Sequence, residues 1–184
     1  MADTVVAPRA PGALELVRAF VNSLDIEDGV DSLLDADGWG RWSTEVGCQG
    51  AATDADLARL RELRETLRVA LLANHDRAPL PEEARVAVAD AIDWSGARTT
   101  VTEAGLALEP VGGGPRWLAG AVAAAVAAAL GDGTWSRLKA CRDDACHWAF
   151  YDHSRSRTGQ WCSMEICGNR NKQLRWRERQ VGGN

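Results

Sequence analysis

The chain has 184 residues, of which 46% are apolar and 26% charged, with a formal net charge of −5. That apolar content excludes an intrinsically disordered chain and predicts one main globular body with a small appendage. The charge is divided: residues 1–134 hold 11 Lys+Arg against 21 Asp+Glu, a net of −10, whereas residues 135–184 hold 10 against 5, a net of +5. An acidic body with a basic end suggests contact with a polyanion.

At the N-terminus, MADTVVAPRAPGALELVRAF has no basic flank ahead of an unbroken apolar run, so no signal peptide is expected. Leu14, Leu16, Val17, Phe20, Val21 and Leu24 recur at helical spacing and predict a helix over 13–24. Asn22 and Asp25 are the polar residues to single out near its end, as caps or buried hydrogen-bonding groups, with Asn22 also a candidate ligand contact. Residues 25–48, rich in glycine, read as loop with a short helical piece, anchored by Trp39 and Trp42.

The pattern then sharpens. Thr53 or Asp54 can cap a helix whose Leu57, Leu60, Leu63, Leu67 and Leu71 form one stripe, interleaved with Arg and Glu, to about residue 74. Pro81-Glu82-Glu83 opens a further helix to Trp94. RTTVTEAGLALEPV, residues 98–111, reads as a small hairpin, residues 112–115 as a flexible link, and residues 116–130 as an alanine-rich helix stopped by Gly131. The apolar window 117–130 is shorter than the roughly 20 residues a bilayer requires, so no membrane segment is expected. The expected fold class is mainly α: a helical N-terminal domain over 1–134, with a possible small hairpin, and a C-terminal zinc-binding module over 135–184 that ends in a basic helix. The leucine stripes suggest that residues 1–134 fold independently.

Five cysteines in a chain without an export signal do not suggest a disulfide framework, and a reducing, cytoplasmic setting is expected. Cys141, Cys146, Cys162 and Cys167 follow the spacing C-x(4)-C-x(15)-C-x(4)-C, while Cys48 stands alone. Two equal pairs with a fold-back segment between them suit one zinc ion held by four thiolates, a closed and therefore structural site. Packing of four small apolar residues is the poorer explanation. His147, directly after Cys146, and His153, after the probable strand 148–152, are expected at the surface or behind the ligands. Trp148, Phe150 and Trp161 are expected to fill the interior of the small module. No HExxH, GxSxG or GxxxxGK[ST] pattern occurs, so the chain is not expected to be an enzyme.

The stretch CRDDACHWAFYDHSRSRTGQWCSMEICGNRNK resembles the CGNR zinc finger, a bacterial family named for the tetrapeptide Cys167-Gly168-Asn169-Arg170. Trp148, Phe150, Asp152, Ser154, Trp161, Met164 and Lys172 fit the same pattern. AFVNSLD at 19–25 and the Arg-rich leucine helix resemble the ABATE-type domain that accompanies this finger in stress-responsive transcription regulators. The resemblance implies duplex DNA as partner and, for the N-terminal domain, a small-molecule or protein effector. Family members often carry two further arginines just before Trp-Cys, where this chain has Gly159 and Gln160, so this loop keeps only Arg155 and Arg157 for phosphate contact. In the tail, Arg170, Lys172, Arg175 and Arg179 are the candidate phosphate contacts. If 169–180 is helical, Lys172, Arg175, Trp176 and Arg179 share a face. The competing reading is an adaptor whose finger docks an acidic protein, and a homo-oligomer is compatible with either.

Overall fold

The computed structural model describes residues 8–103 and 105–181. Helix α1, Leu14–Val21, buries Leu14, Val17, Phe20 and Val21 and stops at Asn22, earlier than the periodicity predicts. The chain then turns into a two-residue ribbon, β1 (Leu24–Asp25) against β2 (Val30–Asp31), antiparallel. The short helical piece expected in the glycine-rich segment is α2, Ala36–Glu45, a full helix of 10 residues capped by Asp35, whose side chain accepts from the Gly38 amide. Trp39 and Trp42 drive α2 into the core, and the Trp39 indole donates to Gly50 O at 2.7 Å.

Helix α3, Asp54–Ala73, begins with a reciprocal Thr53–Asp56 capping box and buries all five stripe leucines. A 3₁₀ turn, Asn74–Asp76, follows it. Helix α4, Glu82–Ser95, is closed by left-handed Gly96, and β3 (Arg98–Thr102) pairs with β4 (Gly105–Glu109) in the expected hairpin. The glycines at 112–114 are not a flexible link. Gly114 N donates to Gln49 O at 2.9 Å, and a Cβ on Gly50 would stand 2.8 Å from Gly114 Cα, so two backbones meet where side chains cannot fit. Helix α5, Gly114–Asp132, starts there and passes the predicted stop at Gly131 to end on left-handed Gly133. At 19 residues α5 is long and apolar enough to cross a bilayer, which the shorter predicted window did not suggest; 56% of its 18-residue window is buried within the protein.

A 3₁₀ turn, Trp135–Arg137, leads into a second hairpin, β5 (Leu138–Ala140) with β6 (Ala149–Tyr151). A π-turn, Met164–Gly168, opens the last helix, α6, Asn169–Val181. The core contains residues of α1 to α5 and continues without a break into Leu138, Ala140, Ala149 and Tyr151. Residues 135–181 are thus seated on the helical body through a shared apolar interior.

Candidate metal centre and basic tail

Two knuckles bring the four cysteines together. In the first, β5 and β6 extend their ladder by one bond, Cys141 N to Trp148 O at 2.9 Å, and Asp143 O accepts from Cys146 N and His147 N. In the second, Ser163 Oγ accepts from Ile166 N, Ser163 O accepts from Gly168 N, and the π-turn carries Cys167 back toward Cys162. The four Sγ atoms lie within 4.8 Å of one another. Cys146 and Cys162 are 3.6 Å apart at sulfur, and Cys162 and Cys167 3.7 Å. A tetrahedron with metal–sulfur bonds of ~2.3 Å has edges of ~3.8 Å, so the donor set fits a zinc ion.

The charges make the same case. The thiols of Cys146 and Cys162 donate toward Cys141 and, against its burial, draw it down to about 3. Cys146 and Cys162 are pushed up chiefly by that arrangement, and Cys167 first by burial and then by the Cys141 charge. Only one thiolate is comfortable without a counter-charge; a divalent cation lets all four ionise. Trp148 and Trp161 pack against the sulfurs and shield them. His147 faces Asp144, and His153 Nε2 donates to Arg9 O, 3.0 Å away; neither joins the sulfur cluster. Four closed thiolates leave no coordination position for water, which makes the ion structural.

Asn22, the candidate ligand contact, is engaged by the finger hairpin. Its Nδ2 donates to Ala149 O at 2.9 Å and its Oδ1 accepts from Ala149 N at 2.7 Å, so its amide pairs with β6 like a short piece of strand. Asp25 Oδ1 accepts from Asp28 N in an exposed turn. Arg170 is likewise occupied, 2.6 Å from Glu27 and 3.4 Å from Asp143. Lys172, Arg175 and Arg179 are exposed along α6, with Leu174 and Trp176 46% and 57% exposed. Arg155 and Arg157 are exposed on a separate loop.

Several residues that hold this architecture were not singled out from the sequence. Arg64 and Arg68 are 2% and 3% exposed. Arg64 grips Asp31 through two bonds and also meets Glu65 and Ser23; Arg68 bonds Glu65, Val21 O and His147 O. Burial opposes charge on Asp31 and Glu65, but the arginines outweigh it and hold both carboxyls below their usual range. The signal was present: Arg64 lies four residues after Leu60 and three before Leu67, on the leucine face. The end of α3 is also a clamp. Asn74 donates to Trp135 O and Leu138 O, His75 to Ala140 O, and Asp76 pairs with Arg142.

Residues 137–180 match the CGNR zinc finger. Residues 12–133 match the family described as "ABATE: Putative stress-induced transcription regulator". No curated protein matches the chain. With two thirds of its length in the one match and four sulfurs set for zinc in the other, the chain belongs to the ABATE family and carries a CGNR zinc finger.

Proposed function

We propose that this zinc-binding regulator is a cytoplasmic transcription regulator that binds duplex DNA through α6, and that it works by binding rather than by catalysis. The observation that carries the reading is the contrast within α6. Arg170 at its root is neutralised by Glu27 and Asp143, whereas Lys172, Arg175 and Arg179 stand exposed on one face beyond it. A zinc knuckle that fixes the start of such a helix presents a row of cations to a polyanion. The family match supports a stress-linked setting. Exposed Leu174 and Trp176 favour a second reading, in which α6 docks on an acidic protein.

Fluorescence anisotropy with a labelled duplex separates them. Three phosphate contacts from Lys172, Arg175 and Arg179 give a salt slope of about −2.7, or about a 40-fold loss of affinity between about 50 and 200 mM salt. Arg175→Ala should weaken binding to all duplexes alike and flatten the slope by about 0.9. Absence of duplex binding at low salt by the zinc-loaded protein defeats the DNA reading in favour of the adaptor.

A further inference from the structure

A polar cavity of about 430 Å³ lies where the end of α3 meets the finger loop, lined by Arg77, Ser136, Arg155, Ser156 and Arg157. We propose that it is an oxyanion site for a phosphoryl group, built jointly by the body and the finger. Three of the five lining residues are arginines and none is an aspartate or glutamate. The acids nearby in sequence are already engaged, Asp152 by Lys139 and Asp76 by Arg142.

The backbone is also committed to the arrangement. Among the described residues three non-glycine positions adopt left-handed φ, and two of them, Arg77 (φ 55°) and Arg157 (φ 55°), line this cavity. That conformation is unfavourable for a side-chain-bearing residue and persists where its surroundings impose it; Arg77 adopts it as the cap of the 3₁₀ turn Asn74–Asp76, and Arg157 within the finger loop. The surroundings here are explicit. Lys139 Nζ, buried, donates to Arg157 O at 2.7 Å and Gly159 O at 3.2 Å, while Asp152 accepts from Ser154 N, Ser154 Oγ and Gly159 N. Arg77 Nη2 reaches across to Ser156 O at 3.3 Å. The loop is therefore held in shape before any ligand arrives, which lowers the cost of binding.

The chemistry of the lining selects the ligand class. Guanidinium forks match the oxygens of phosphate, and the Ser136 and Ser156 hydroxyls can donate to a third oxygen. No apolar side chain lines the cavity, so it recognises the charged group and not a base or acyl chain. The phosphoryl group can belong to a free small molecule or to a DNA backbone. Either would tie Arg77 of the body to the finger loop. This inference stands independently of the role of α6.

The test uses the full-length, zinc-loaded protein, titrated with inorganic phosphate against chloride at constant ionic strength while its melting temperature is followed, with duplex anisotropy in parallel. A ligand that binds only the folded state raises the melting temperature. Arg77→Gln and Arg155→Gln should each require about tenfold more phosphate for the same rise. Arg155 has no hydrogen bond or ion pair among the described residues, so its variant tests the site without touching the fold. A phosphate-specific rise that needs about tenfold more phosphate in both variants, while duplex affinity stays unchanged, identifies a free phosphorylated ligand. A fall of about tenfold in duplex affinity in both variants identifies the DNA backbone. If phosphate acts no differently from chloride and both variants bind duplex as the parent does, the site is refuted. If the parent binds no duplex, the DNA reading of α6 fails and the phosphate titration alone decides this site.

Discussion

Asp152 and Lys139 face each other inside the finger, their side chains 3% and 2% exposed, with Oδ2 and Nζ 2.8 Å apart. Burial alone would raise the Asp152 carboxyl, but the Lys139 ammonium and the donors of Ser154 and Gly159 outweigh it and hold the group at about 2. Asp152→Asn removes the charge and turns an amide donor toward other donors, leaving Lys139 buried without its counter-ion. Breaking a buried pair from one side costs about 3–5 kcal/mol. For a chain of this size that corresponds to a fall of about 10 °C in melting temperature. The pH dependence has a defined sign. An unfolded aspartate titrates near ~3.9, so a depressed native value contributes stability that is complete above that pH and is lost as pH falls toward 2. The gap between the parent and Asp152→Asn, measured by urea unfolding, should be constant above about pH 5 and close below about pH 4. A variant as stable as the parent at pH 7 would show that Lys139 finds its compensation elsewhere.

At the scale of elements, α6 is the piece that depends most on the metal. It has 13 residues, is exposed from Lys172 to Gln180, and grows directly from the turn that carries Cys167. Isolated helices shorter than ~12–15 residues are marginal in water, so the fixed first turn decides whether α6 exists. Cys162→Ser, or a chelator, should reduce zinc from one ion per chain to none and remove amide-exchange protection across 169–181. Metal-free protein with that protection intact would contradict the dependence. The metal site was readable in the sequence because all its ligands fall within one short segment at matched spacing. Helix α3 was readable for a related reason, since its cap and stripe are local. Helix α2 was readable only as a short helical piece, because Gly38 and Gly40 look like loop residues. A Cβ on Gly38 would stand 2.8 Å from Ser32 O, so packing, not a loop, is what requires glycine there. Strand β5 is three residues long, and β6 finds an additional partner in Asn22, 127 positions away. The lining of the oxyanion cavity is divided in the same way, with Arg77 and Ser156 separated by 79 positions. A pattern read along the chain cannot register partners that only folding brings together.

For the whole molecule, the question is whether the body is complete without the finger. The leucine stripes suggest that residues 1–134 close on themselves, and the two family matches do divide the chain between 133 and 137. The interior is not divided there. Leu138, Ala140 and Ala149 are 0% exposed and Tyr151 is 9% exposed within the same core as α1 to α5. Burial of a large apolar side chain contributes about 1.5–3 kcal/mol, so Leu138 and Tyr151 alone supply several. Removing them also takes away the finger partners of the Asn22 and Asn74 amides and one of the three partners of Arg68. Each hydrogen bond exchanged for one to water forfeits about 0.5–1.5 kcal/mol. Against a net stability of about 5–15 kcal/mol, these losses together consume most of the margin. A fragment of residues 1–134 should therefore melt far below the full chain and without a sharp transition, or fail to remain soluble. The intact zinc-loaded protein should unfold body and finger in one cooperative step. Calorimetry of both decides the matter: a soluble fragment that melts cooperatively within a few degrees of the whole protein would show that the body folds alone and that the finger is only docked upon it.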